Sequence, residues 1–405
     1  MRILVLQESD WLARGPHQNH HLMERMAARG HEIRVLDFEI GWSDRSAESR
    51  LQGRQVFPNV HKVLERGRVT VIRPGFLRVP FLDLVSSLVT HAVEIRRQFR
   101  EFKPDVVVGF GILNTFLGIL SARRHRIPFV QYVIDELHRL IPWRAFQGLG
   151  RIVEQADLRR ATMVFSINEG LRDYTIRMGA PPSRAKLLRA GIDLDRYLAV
   201  DGSMVRRRYG ITNDDILLFF MGWLYRFSGL TKVAETIVAA PAETSNCKLL
   251  VIGKGELWQD LRELTSQDDS SQRVIIEPWR PYEELPSYLA AADICILPAL
   301  NVEVMKNIVP IKMYEYMAAG KPVLATALPG LVREFGEGHG VVYLRGPEEV
   351  VPMALELVRR GALEQLGRQA RAFVEGSDWT KVIDSFEAYL TDAVRNGDFD
   401  ASKGL

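Results

Sequence analysis

At 405 residues, 47% hydrophobic and 25% charged, the chain is too long for a single core and has the composition of a globular protein of two domains. Its 53 basic and 50 acidic residues leave a net charge of +3, which points away from a nucleic-acid partner. No run of about eighteen apolar residues could span a bilayer, and two cysteines, Cys247 and Cys295, provide neither a disulfide framework nor a metal-ligand cluster.

The opening MRILVLQESD reads as a buried strand, Ile3–Leu6, reaching a loop with acids in it. It lacks the long apolar core and small-residue cleavage site of a signal peptide, so a reducing, cytoplasmic setting is expected. A helix over Asn19–Arg29, then Gly30-His31 and a strand over Ile33–Asp37, complete one βαβ unit. Gly15 and Pro16 read as a turn that lets substrates approach the backbone. His17, His20 and His21 crowd the same loop, but no carboxylate cluster accompanies them to make a metal site. The basic, aromatic stretch RVTVIRPGFLRVPFLDLVSSL (Arg68–Leu88) is expected to expose Phe76, Leu77 and Phe81 beside Arg73 and Arg78, which suits the headgroup zone of an anionic membrane; packing within the domain is the alternative.

Further on, strands over Asp105–Phe110, Phe129–Ile134 and Met163–Ile167 alternate with helices over Asn114–Arg124 and Glu169–Met178, as in a parallel sheet covered on both faces. The segment QYVIDELHRLIP runs off one of these strands at its carboxyl end, where open α/β sheets hold ligands, and so singles out His138 and Asp135. A second series follows: strands over Ile216–Met221, Lys248–Ile252, Val274–Glu277, Ile294–Pro298, Val323–Ala325 and Val341–Leu344, with helices between them. The expected domains are 1–195, joined by a C-terminal helix over 380–397, and 196–379. Through Asp195 there are 30 basic against 21 acidic residues, and 23 against 29 after it, so the first domain is expected to face an anionic partner.

The run NIVPIKMYEYMAAGKPVLATALPG (Asn307–Gly330) is the most informative. A proline-bearing loop enters a helix over Ile311–Ala319, Gly320 stops it, and a short strand follows. Backbone N–H groups at the helix start after Pro310, beginning with Ile311, favour an anion, Lys312 adds a full charge, and Glu315 one turn on can accept hydrogen bonds from vicinal hydroxyls. A phosphorylated, ribose-bearing ligand would use all three; a lysine and a glutamate on a wet helix face are the plain alternative.

This run resembles the nucleotide-sugar motif of family 4 glycosyltransferases, glycosyl transferase group 1. The resemblance extends in the family's order through RGPHQNHHLMERMAARGHEIRVL, LLRAGIDLDRY (Leu187–Tyr197), FMGWLYRFSGL (Phe219–Leu230), VIGKGE (Val251–Glu256) and YLAAADICILPAL (Tyr288–Leu300). It implies the GT-B fold, an α/β architecture of two Rossmann-like lobes with parallel sheets facing across a cleft, the first lobe for the acceptor and the second for the donor. It also implies transfer of a sugar, with retention, from a nucleoside diphosphate sugar to a hydroxyl or phosphate of a lipid-linked or cell-envelope glycan acceptor, with no bound metal or other cofactor.

Residue by residue, the resemblance makes Glu315 the ribose ligand and places Trp223 and Ser228 where the family usually has a basic pair on the diphosphate. Arg226 is the candidate replacement there, supported by Gly253, Lys254 and Lys312. Asn307 stands where the family often has a further glutamate. Trp279 would border the nucleobase, unless it packs in the core. A histidine near the transferring sugar is usual, and either His138 or Asp135 would take that role. Two other readings stay open: a nucleotide-sugar epimerase of the same fold, which turns over donor without acceptor, and a non-catalytic scaffold. Localisation at the inner face of the cell membrane would follow from a lipid-linked acceptor.

Overall fold

The computed structural model describes residues 1–13, 17–39, 50–79, 82–141, 144–240, 246–267, 273–306 and 308–395. The chain divides into two compact units: Met1–Ala190 with the segment from Thr380 onward, and Gly191–Trp379. The division falls ahead of the expected 195–196 boundary because Ile192, Leu194 and Tyr197 are buried in the second unit's core.

The first unit begins with β1 (Arg2–Gln7), α1 (Gln18–Ala28) and β2 (Glu32–Leu36), and β1 and β2 pair in parallel. It continues through β3 (Leu51–Gln52), β4 (Gln55–Val60), β5 (Val69–Arg73), β6 (Phe76–Leu77) and α2 (Leu82–Glu101). Then come β7 (Val106–Phe110), α3 (Leu113–His125), β8 (Phe129–Val133), α4 (Arg144–Arg160), β9 (Met163–Ser166), α5 (Glu169–Arg177) and β10 (Ala185–Leu187). The sheet order is β10-β9-β8-β7-β1-β2-β5-β4, parallel except that β4 runs against β5. Residues of β7 and β8 are buried without exception, as both-face coverage by helices requires.

The expected exposure of Phe76 and Arg73 is wrong. β5 lies inside the sheet between β2 and β4, so both of its edges are paired, and four of its five residues are buried. Arg73 is 5% exposed, its guanidinium hydrogen-bonded to Asp37 and 2.7 Å from Asp10 Oδ1. Phe76 is buried as well. Two carboxylates from the ends of β1 and β2 make burial of that arginine tolerable, because they replace the hydration it gives up. Arg78 pairs with Glu39 at 3.2 Å, and Leu77 is exposed. Phe81 lies outside the described residues.

The second unit holds α6 (Ser203–Arg208), β11 (Ile216–Trp223), α7 (Leu230–Ala239), β12 (Cys247–Lys254), α8 (Trp258–Gln267), β13 (Val274–Glu277), α9 (Leu285–Ala291) and β14 (Ile294–Leu297). After these come α10 (Ile311–Ala318), β15 (Val323–Thr326), α11 (Pro329–Phe335), β16 (Val341–Leu344), α12 (Val350–Arg359) and α13 (Leu363–Val374). α14 (Trp379–Arg395) then packs in the first unit, where Phe386 meets Phe165 edge-on. The second sheet is parallel throughout, in the order β13-β12-β11-β14-β15-β16. Its strand order reverses between β11 and β14, and the carboxyl ends of those two strands form the crevice where such sheets hold ligands. No helix among the described residues is long and apolar enough to cross a membrane.

Candidate active site

The crevice between β11 and β14 is built around Lys312 and Glu315 of α10. Pro310 caps the helix in an extended conformation (φ −70°, ψ 137°), which aims the first N–H groups of α10 outward. The Lys312 ammonium lies 4.1 Å from the centroid of the Phe220 ring on β11. It also rests directly over Gly222, at φ +128°, where any Cβ would collide with it. Gly253 at the end of β12 is packed just as closely against the Gly222 carbonyl. The two glycines thus let three backbone segments converge on one cation. Burial pushes the Lys312 ammonium down to about 8, with Glu315 acting in the other direction.

Glu315 is buried, one turn along α10. Burial raises its carboxyl above the usual range, opposed by hydrogen bonds from Tyr282 and Tyr197 and by the charges of Lys312 and Arg196. The Arg196 guanidinium covers the Tyr282 ring at 4.4 Å. Sequence reasoning missed Arg196 and Tyr282, although LLRAGIDLDRY ends on Arg196-Tyr197; nothing local shows that this segment meets α10.

Around this centre stands a rim of aromatics and cations. Trp223 and Trp279 have ring centroids 6.3 Å apart, and Lys254 Nζ lies 4.9 Å from the first and 5.8 Å from the second. Tyr225 stacks on Trp223. Trp279 is 54% exposed, which removes the core-packing alternative. Ser228 is buried with no partner for its hydroxyl among the described residues. Arg226 occupies a single helical turn, Arg226–Ser228, with its side chain 72% exposed and 3.7 Å from Asp260 and 3.9 Å from Glu256. Contacts this long and this exposed hold it weakly. Ile311 is exposed at the helix start. Asn307, Gly15 and Pro16 lie outside the described residues.

In the first unit, a buried carboxylate holds His138. Glu154 Oε2 accepts hydrogen bonds from the His138 backbone N–H (3.2 Å) and from Nδ1–H (2.8 Å), which leaves Nε2 as the ring's free edge. The Tyr174 hydroxyl lies 3.0 Å from Nδ1, and its ring stacks on the imidazole. Asp135 is exposed, and its carboxylate accepts from the N–H of Glu136. His20 is engaged at both nitrogens: Nδ1 accepts from the His17 N–H and Nε2 sits 3.1 Å from the Trp11 carbonyl. Burial lowers its pKa to about 4. No group of three or more His, Cys, Asp or Glu suited to a metal ion occurs among the described residues.

Asp157, one turn after Glu154 on α4, is fully buried, with no partner for either carboxylate oxygen among the described residues. Burial pushes its carboxyl up to about 9, and Glu8 and Glu154 push it further in the same direction. An acid raised on folding keeps its proton in the native state and loses it on unfolding. Between its unfolded value near about 3.9 and about 9, stability therefore falls as pH rises. Asp157→Asn should raise the melting temperature, and the gain should be larger at pH 8.5 than at pH 5.5. About 2–4 °C is expected for each kcal/mol in a unit of this size, and calorimetry at the two pH values measures it. Equal gains at both would mean that Asp157 is ionised in the fold.

Comparison with known proteins adds independent findings. The family description "Glycosyl transferases group 1" matches residues 215–359, and "Glycosyl transferase 4-like domain" matches residues 16–191. The chain is 26% identical to the D-inositol 3-phosphate glycosyltransferase 1 of Catenulispora acidiphila, over 72% of this chain and 73% of that one. It is 26% identical to the D-inositol 3-phosphate glycosyltransferase of Nocardia farcinica, over 90% and 85%. In structure it is similar to Anabaena HepE in complex with UDP, with a TM-score of 0.71, 15% identity, and 97% and 100% of the two chains covered.

Proposed function

Since the chain belongs to the group 1, family 4-like glycosyltransferases of the GT-B fold, we propose that it moves a hexosyl group from a nucleoside diphosphate sugar to an acceptor hydroxyl with retention of configuration. The observation that carries this reading is the half-buried Lys312 at the β11–β14 switch point, its ammonium 4.1 Å from the Phe220 ring centroid and one helical turn from Glu315. A cation beside a helix N-terminus suits the departing diphosphate, whose charge grows as the sugar leaves. A carboxylate one turn on suits the ribose hydroxyls, and the Trp223–Trp279–Lys254 rim suits the base. The donor is assigned to the second unit and the acceptor to the first. The acceptor hydroxyl attacks the face the diphosphate leaves, and the leaving phosphate takes its proton. The relatives named for D-inositol 3-phosphate make a phosphorylated polyol the first acceptor to try.

The test is calorimetric titration with UDP-, GDP- and ADP-sugars, then release of nucleoside diphosphate with and without D-inositol 3-phosphate and a polar lipid extract. NMR of the product reads its anomeric configuration. Binding of one nucleotide sugar with acceptor-dependent release is expected. Conversion of the donor to its epimer without acceptor would assign the epimerase reading, and no nucleotide binding at all the scaffold.

His138 is assigned to the acceptor in the first unit, and Glu154 acts through it as a positioning residue. Glu154→Gln should lower kcat/KM by about 10–100-fold, in line with the loss of a carboxylate that orients a functional imidazole. Glu154→Asp, which keeps a carboxylate for the Nδ1–H, should lose less activity than Glu154→Gln, and equal losses in the two variants would leave Glu154 a packing role only.

A further inference from the structure

Helix α4 is inverted. Its two acids, Glu154 and Asp157, point inward and are fully buried, whereas Phe146, Leu149 and Ile152 point outward at 56%, 60% and 64% exposure. Three apolar side chains on one exposed stripe do not arise from core packing. The neighbouring helices share the feature. α2 packs on α3 and α3 on α4. On α2, Val85, Val89 and Val93 recur at one-turn spacing, each 59% exposed, and Leu120 of α3 is also exposed.

The charges are arranged to match. Each helix runs antiparallel to the parallel strand that follows it, so the three lie side by side in one direction. Toward their C-terminal ends they carry the exposed Arg96 and Arg100, Arg123 and Arg124, and Arg159 and Arg160. α3 contains no acid, and the two acids of α4 are buried. One face of the first unit therefore presents an apolar band beside an arginine band.

We propose that this α2–α3–α4 face docks on an anionic lipid bilayer, the apolar band entering the headgroup–acyl boundary and the arginines contacting lipid phosphates. Water-exposed valines, leucines and a phenylalanine gain by leaving water, and the arginines, which outnumber the exposed Glu101 of α2 (3.2 Å from Arg97), supply the attraction to a negative surface. A protein partner or a second copy of the chain could also cover apolar residues, but neither accounts for an arginine band on all three helices. The inference goes beyond the transferase reading and does not rest on it.

The experiment is co-sedimentation of the full chain with phosphatidylglycerol–phosphatidylcholine vesicles and with pure phosphatidylcholine vesicles, at low and high salt. Wild type should bind the anionic vesicles, more weakly at high salt. Phe146→Ser/Leu149→Ser/Ile152→Ser should reduce binding about tenfold or more at low salt. Arg124→Gln/Arg159→Gln/Arg160→Gln should reduce it by about fivefold per arginine and flatten the salt dependence. A second measurement avoids reliance on multiple variants: Cys247 and Cys295 are both buried, so Ile152→Cys can be labelled selectively with an environment-sensitive dye. Its emission should shift to the blue on anionic vesicles only. The proposal is overturned if wild type ignores anionic vesicles at low salt, or if the apolar variant binds as well as wild type and the dye does not respond. It is also overturned if light scattering finds a wild-type dimer that the apolar variant abolishes, which would give the face to a second copy. None of these readouts uses transferase activity, so each stands or falls apart from that reading.

Discussion

Replacing Lys312 by methionine should lower kcat by about two to three orders of magnitude, the scale seen when one preorganised donor is taken from a developing negative charge, while the fold stays as stable or becomes more so. Lys312 is the cation that the geometry places deepest in the crevice, over Gly222 and against Phe220. The alternative clamp, Arg226, is largely exposed beside Glu256 and Asp260. The stability side follows from the same burial. With its ammonium lowered to about 8, the native state binds fewer protons than the unfolded chain between about 8 and 10.5, so wild-type stability rises with pH across that window. Lys312→Met lacks this dependence; its advantage over wild type should be largest below pH 8 and gone by pH 10.5. Activity moves in the opposite sense, with kcat/KM falling above pH 8 as the free enzyme loses the charge. The dianionic donor holds the proton on, so the same limb in kcat should lie higher. Steady-state kinetics and calorimetry over pH 6.5–10.5 measure both. A variant that keeps kcat within a few-fold of wild type would remove Lys312 from the diphosphate.

Glu315→Ala should weaken donor binding by about 1–3 kcal/mol, the usual loss for charged hydrogen bonds to a ligand. A drop in affinity by itself would not separate ribose contact from general damage, because Glu315 also binds Tyr282 and Tyr197 inside the unit. The sharper readout is discrimination. Wild type should prefer a nucleoside diphosphate over its 2′,3′-dideoxy counterpart, whereas Glu315→Ala should bind the two alike. Tyr282→Phe, which removes one hydroxyl that competes for the same carboxylate, should keep the preference. If wild type itself does not distinguish the two nucleotides, the ribose assignment fails, whatever the alanine variant does.

Much of the architecture was legible because buried parallel strands are continuous apolar runs. The expected strands over Ile216–Met221 and Val274–Glu277 appear as Ile216–Trp223 and Val274–Glu277, and the helix Ile311–Ala319 as Ile311–Ala318. Gly320 at φ +67° ends that helix as its residue type implied. The same logic failed over Arg68–Leu88. A strand with an arginine in it reads as exposed, but β5 is interior and Arg73 is answered by Asp10 and Asp37. The 20-residue helix Leu82–Glu101 was also missed, because its outward valines mask the amphipathic pattern that normally marks a helix.

The strands of the second unit, the helix stop at Gly320, and the Pro310, Lys312, Glu315 spacing belong to the sequence alone, since each depends on residues within one or two turns of one another. What only the tertiary structure decided are the encounters between distant segments. Glu154 reaches His138 and Tyr174, Arg196 and Tyr282 reach Glu315, and Lys254 meets both Trp223 and Trp279. Burial of Glu154 and Asp157, with apolar residues outward on the same helix, was beyond local reading for the same reason. Residue type predicts a side chain's preference for water, but only the packing of the whole unit settles which face of α4 the solvent reaches.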